Sequence, residues 1–111
     1  MKIIYTKNFP PGTFHAINIF GILFVQRKWG KMEAYELRHE HIHTLQQKEM
    51  GFIFFYLWYG IEYIYRLFQF KFDRMAAYYH ISFEQEAYTN QHKKKYRKHR
   101  KHYSWIKFMR R

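Results

Sequence analysis

The chain has 111 residues, no cysteine and a formal net charge of +12. That length fits one domain, and the absence of cysteine excludes disulfides and thiolate metal sites, so any metal has to be held by His, Asp or Glu. The charge excess is local: residues 1–92 carry ten Lys/Arg against eight Asp/Glu, and residues 93–111 carry ten Lys/Arg and no acid.

Lys2 to Tyr5 reads as a short strand, and Asn8 to Thr13, with Pro10, Pro11 and Gly12, as a turn. No apolar stretch with a small-residue cleavage site opens the chain, so a cytoplasmic location is expected. Phe14 to Gln26 is rich in Ile, Phe and Val, with Gly21 in its middle; it predicts two short strands or one strand bent at the glycine. Arg27 to Lys31 closes this region as a loop around Gly30. Glu33 to Met50 lacks Gly, Pro and Val and is dense in good helix formers, so it predicts a helix ended by Gly51.

Phe52 to Phe70 predicts a second helix, apolar all round over its first ten positions, which indicates burial or membrane contact. Its uncharged run from Gly51 to Ile61 is too short to span a bilayer, and extending it brings in Glu62 and Arg66, an i, i+4 pair. A buried core helix is the expectation. Asp73 to Tyr79 predicts a shorter helical turn. Ser82-Phe83-Glu84-Gln85 matches a capping box, with Ser82 at the N-cap and Gln85 at N3, opening a helix that Asn90 ends. Lys93 to Arg111 is read as a last helix with an apolar side of Tyr103, Trp105, Ile106, Phe108 and Met109. The expected class is α+β, a small β element followed by three or four helices. A metal-binding domain is expected over 1–92 and a basic helical tail over 93–111.

His39-Glu40-His41-Ile42-His43 fits H-E-x-x-H. Residues four apart on a helix share a face, so His39 and His43 can bind one zinc ion. Glu40 then projects beside the metal, where it can take a proton from water whose pKa the zinc has lowered. His41 points off that face. For the third ligand the sequence offers Glu84, Glu86 and His80, with Glu84 favoured. The ordinary reading of the two glutamates is that acids suit the first turn of a helix.

Glu84-Gln85-Glu86-Ala87, following the His39–His43 motif, resembles the gluzincin arrangement, in which a second helix carries E-x-x-A-[DN] and its first Glu is the third ligand. The prenyl-protein (CAAX) metallopeptidases and the heat-shock membrane metallopeptidases share this pattern. His39 to Gln47 also resembles the H-E-x-x-H-x-x-Q-Q of small uncharacterised bacterial zincins. Ala16 to Gly21, Tyr56 to Tyr59 and Ile81 to Tyr88 extend that second resemblance over most of the chain. The resemblance implies a minimal zincin-like fold, one zinc ion held by His39, His43 and Glu84, and hydrolysis of a peptide or protein substrate with Glu40 as general base. Tyr88 departs from it: an Asp or Asn stands there in the motif and supports a histidine ligand. Glu62 or Glu86 is the available replacement.

The alternative is a non-catalytic basic binding protein with a structural or degraded zinc site. The tail, with Tyr96, Tyr103 and Trp105 among ten cations, would suit an anionic membrane surface first and nucleic acid second. That would place the chain at the inner face of the membrane.

Overall fold

The computed structural model describes residues 2–10 and 15–109; Pro11 to Phe14, part of the expected turn and strand, lie outside them. A three-stranded sheet comes first, in the order β1-β3-β2, formed by β1 (Lys2–Thr6), β2 (Ala16–Ile19) and β3 (Ile22–Gln26). The central strand β3 pairs parallel with β1, Lys2 opposite Ile22, and antiparallel with β2, Ile19 opposite Ile22. Leu23 and Val25 of β3 are fully buried and point toward the helices. The bend expected at Gly21 is a hairpin turn, with Phe20 at φ 52° and Gly21 at φ 81°. Two consecutive positive φ values give the twist that joins two short strands tightly.

This turn is docked on the first helix, α1 (Ala34–Met50). Gly21 N–H donates to Gln47 Oε1 at 2.9 Å, and Asn18 Nδ2 donates to the Glu40 carbonyl at 3.0 Å and to Thr44 Oγ1 at 3.0 Å. Glu33 and Glu36 form a capping box at the start of α1, and Gly51 ends it in the left-handed conformation, where a glycine carries no steric penalty.

Four more helices follow: α2 (Ile53–Gln69), α3 (Arg74–Tyr79), α4 (Ser82–Asn90) and α5 (Tyr96–His99), then a 3-10 turn over Ser104–Phe108. The chain is thus α+β, a small N-terminal β element followed by helices. Phe55, Ile81, Phe83 and Trp105 form a largely aromatic hydrophobic core, with Met50, Tyr56, Tyr59, Tyr63 and Met109 packed around it. No helix among the described residues is long and apolar enough to cross a membrane.

Three expectations change. Helix α2 is not covered all round: Phe55, Glu62 and Arg66 are buried, while Ile53, Leu57 and Phe68 on the opposite side are exposed. The capping box at Ser82 does not form. Ile81 takes the N-cap, and Ser82 donates both its N–H and its Oγ to the Glu62 carboxylate, each at 2.6 Å. A buried carboxylate draws the two nearest donors more strongly than a neutral Gln side chain can, and Gln85 donates to the Tyr79 carbonyl instead. Residues 93–109 do not form one helix. They make a single turn, α5, and then the 3-10 turn, which buries Trp105 and Phe108 in the core.

Candidate metal centre

Helices α1 and α4 each bring a stripe at i, i+4, i+7 to their contact: His39, His43 and Gln46 on one, Glu84, Tyr88 and Gln91 on the other. Three ligand atoms meet there. His39 Nε2 and His43 Nε2 are 3.0 Å apart, and Glu84 Oε1 lies 3.1 Å from the first and 3.0 Å from the second. All three residues are buried. A zinc ion bound to imidazole and carboxylate at about 2.0–2.2 Å with tetrahedral angles has ligand atoms about 3.3 Å apart, so the triangle is the right size with little adjustment.

The surrounding hydrogen bonds decide which way each imidazole is protonated. The amide nitrogen of Gln46 donates to the Phe83 carbonyl at 3.1 Å and to Glu86 Oε1 at 2.9 Å. Its oxygen therefore faces His43 Nδ1, at 2.8 Å, and that ring nitrogen must be the donor. Gln91 Oε1 does the same for His39 Nδ1 at 2.9 Å. Both Nε2 atoms are left as acceptors, aimed at each other and at a carboxylate oxygen. Three converging acceptors repel unless a cation joins them. A metal ion is one such cation and a proton is the other. Burial alone would lower the His43 pKa, but the Glu84 carboxylate and its hydrogen bond outweigh burial and raise it to about 9. Burial would raise Glu84, and the two imidazoles hold it well below the usual carboxylate range instead. Tyr59 O–H donates to the second Glu84 oxygen at 2.7 Å, leaving Oε1 for the ion.

Glu40 lies beside His39 on the wall of a cleft of about 360 Å³ that Tyr78, Tyr88, Gln91, His15 and Glu36 also line. Burial raises the Glu40 carboxyl above its ordinary range, against the opposing pull of His43 and His39. That direction brings a carboxylate closer to the pKa a general base needs near neutrality.

The structure thus assembles His39, His43 and Glu84 and leaves the other candidates elsewhere. Glu86 accepts from Tyr96 O–H at 2.6 Å and is paired with Arg100 Nε at 2.5 Å. His80 faces the Ala76 carbonyl at 2.7 Å and packs at a tilt against Phe70, centroids 4.3 Å apart. His41 Nδ1 meets Arg97 at 2.8 Å, off the metal face as expected, and burial with that guanidinium lowers its pKa to about 4.

The task of the missing Asp or Asn falls to neither Glu62 nor Glu86. Gln91 and Gln46 hold the two imidazoles, and Glu86 reaches His43 only through Gln46. Tyr88 packs its ring edge-on against His39, centroids 4.4 Å apart, and its hydroxyl meets that of Tyr78 at 3.0 Å. Gln91, Tyr78 and His15 were not singled out by sequence reasoning, and Tyr59 entered only as part of the resemblance over Tyr56 to Tyr59, without a role at the site. Only Gln91 carried a signal, its two-turn spacing from Glu84. Comparison with family models, with curated proteins and with solved structures returns no match.

Proposed function

We propose that this chain is a zinc-dependent hydrolase acting on peptide bonds, with His39, His43 and Glu84 as the protein ligands and Glu40 as general base. The observation that carries this reading is the convergence of three acceptor atoms, the two imidazole nitrogens being set as acceptors from behind by Gln46 and Gln91. Zinc held there would polarise a substrate carbonyl and bring the pKa of a bound water near neutrality. Glu40 takes the proton from the attacking water and returns it to the departing amine. Tyr78 and Tyr88 line the same cleft, and a phenol hydroxyl there would supply the kind of donor that stabilises charge developing on a carbonyl oxygen. Three ligands and an adjoining cleft suit a catalytic site, whereas a structural site would close with a fourth protein ligand; among the described residues no fourth joins the group.

The test compares the wild type with Glu40→Gln on an unstructured peptide library, measuring zinc content alongside. The expected result is zinc near one per chain in both proteins and cleavage reduced by about 10²–10⁴-fold in the variant. Undiminished cleavage in Glu40→Gln would remove Glu40 from the mechanism. Full zinc occupancy without cleavage by either protein would favour a binding protein with a non-catalytic zinc.

A further inference from the structure

Helix α2 turns one face to the core and leaves the other bare. Ile53, Leu57, Ile61, Ile64 and Phe68 are each more than half exposed. At 100° per residue their positions fall within an arc of about 80°, so they form one stripe along the helix. Phe72 continues the stripe beyond the helix end. It sits at φ 66° after Lys71 at φ 53°, and its ring packs edge-on against Phe68 at 5.2 Å. Two successive non-glycine residues in the left-handed region are costly for L-amino acids, and here they hold an aromatic ring outside rather than inside. A continuous apolar surface of this extent marks a contact with something else.

The charges around the stripe have one dominant sign. Its one acidic residue within α2, Glu62, is turned into the core and bound by Ser82 and Arg66. Glu49, Glu84 and Glu86 are likewise consumed by buried partners. Lys71 and Arg74 flank the far end of the stripe, and Lys107 is exposed on the 3-10 turn that meets α2 through the Trp58–Trp105 contact. Asp73, between Lys71 and Arg74, is tied to the Ala76 N–H as a helix cap.

We propose that α2 is an interfacial helix: its outer stripe lies in the plane of an anionic lipid bilayer, with Lys71, Arg74 and Lys107 at the headgroups. An apolar face rimmed by cations and aromatic rings is the combination that binds such a surface. Half-exposed Tyr65 and the partly exposed Trp58 sit at the stripe's margin, where amphipathic rings favour the headgroup level. A second copy fits less well, because pairing stripe to stripe would bring together two chains of +12 each. Nucleic acid would use the cations and leave the stripe bare. This contact is independent of the metal centre.

The test is co-sedimentation of the full chain with vesicles of equal parts phosphatidylglycerol and phosphatidylcholine, and with pure phosphatidylcholine vesicles. Binding is expected to the first and to be at least ten-fold weaker to the second. Leu57→Glu with Ile64→Glu alters only exposed side chains, so the melting temperature should hold while anionic-vesicle binding falls about ten-fold or more. Lys71→Glu with Lys107→Glu should weaken binding and flatten its salt dependence. The proposal is overturned if the wild type does not sediment with anionic vesicles, or if the Leu57/Ile64 variant binds them as tightly as wild type. It is also overturned if that variant's only change is loss of a wild-type dimer, or if wild type retains duplex DNA more tightly than anionic vesicles.

Discussion

Gln46 Oε1 lies 2.8 Å from His43 Nδ1, and the nitrogen of the same amide is already committed to Glu86 and the Phe83 carbonyl. The amide cannot turn over without losing both bonds, so it acts as a fixed acceptor behind the ligand. Gln46→Leu is expected to lower zinc affinity by about 10–100-fold, the usual cost of removing a partner behind a metal-binding histidine. A competition titration against a chromophoric chelator reads this directly. Unchanged affinity would show that His43 is oriented by packing alone.

The two glutamates of α4 should fail in different ways. Glu84→Ala, like His39→Ala or His43→Ala, is expected to abolish stoichiometric zinc by elemental analysis. Glu86→Ala should hold zinc but melt earlier, because Arg100, whose side chain is 4% exposed and paired with Glu86 and Glu49, keeps its charge with one partner gone. Breaking such a pair costs on the order of 3 kcal/mol, about 10 °C or more for a domain of this size. His80→Ala should leave zinc unchanged. Equal zinc losses from all three downstream variants would undo the assignment of Glu84.

The apo and zinc-loaded proteins should respond to pH with opposite signs. His43 is raised from 6.5 to about 9 in the folded chain, Glu84 overcoming the effect of burial. A base that holds its proton more tightly when folded contributes fully below its unfolded pKa and loses that contribution as pH rises through its folded one. Chelator-treated protein should therefore lose melting temperature between pH 6.5 and about 9. Zinc displaces that proton, so its affinity should grow across the same interval. A metal-free melting temperature that climbs over this range would contradict the arrangement around Glu84.

Residues 93–109 are expected to be indispensable for folding. Deleting 93–111 removes Trp105 from its place against Phe83, centroids 4.7 Å apart, and removes Arg100 from Glu49 and Glu86. Losing a buried aromatic alone typically costs about 3–5 kcal/mol, much of the stability of a domain this small. Near-ultraviolet circular dichroism should lose its signal, and the melt its cooperativity. A truncated chain melting as sharply as the whole would show an independent unit over 1–92.

The sequence made the helices around the site legible because each has a local signal. Glu33 to Gly51 carries good helix formers and a terminal glycine, and the i, i+4 histidines need only that helix to share a face. Glu84 was favoured from the spacing of a motif, and the structure brings it to the two histidines. What escaped depended on partners distant in the chain. Ser82 looked like an N-cap because Gln85 is three residues away, yet the acceptor it meets is Glu62, twenty residues back. Gln46 stood within the H-E-x-x-H-x-x-Q-Q resemblance without a stated role, and Gln91 carried only its two-turn spacing from Glu84, so the bonds by which they hold the histidines were not read. The tail read as a basic helix because cations crowd it, and charge density does not reveal that Arg100 pairs with two buried carboxylates.

Trp105 completes a cluster whose other members, Phe55, Ile81 and Phe83, lie well upstream. A ribosome makes those residues first, and domains generally close from the amino-terminal side as the chain emerges. Here that order is interrupted: the aromatic cluster stays open until residue 105 has cleared the exit. For that interval the nascent chain exposes both the unfinished cluster and the outer stripe of α2, so its need for a holding chaperone should be greatest just before this segment emerges.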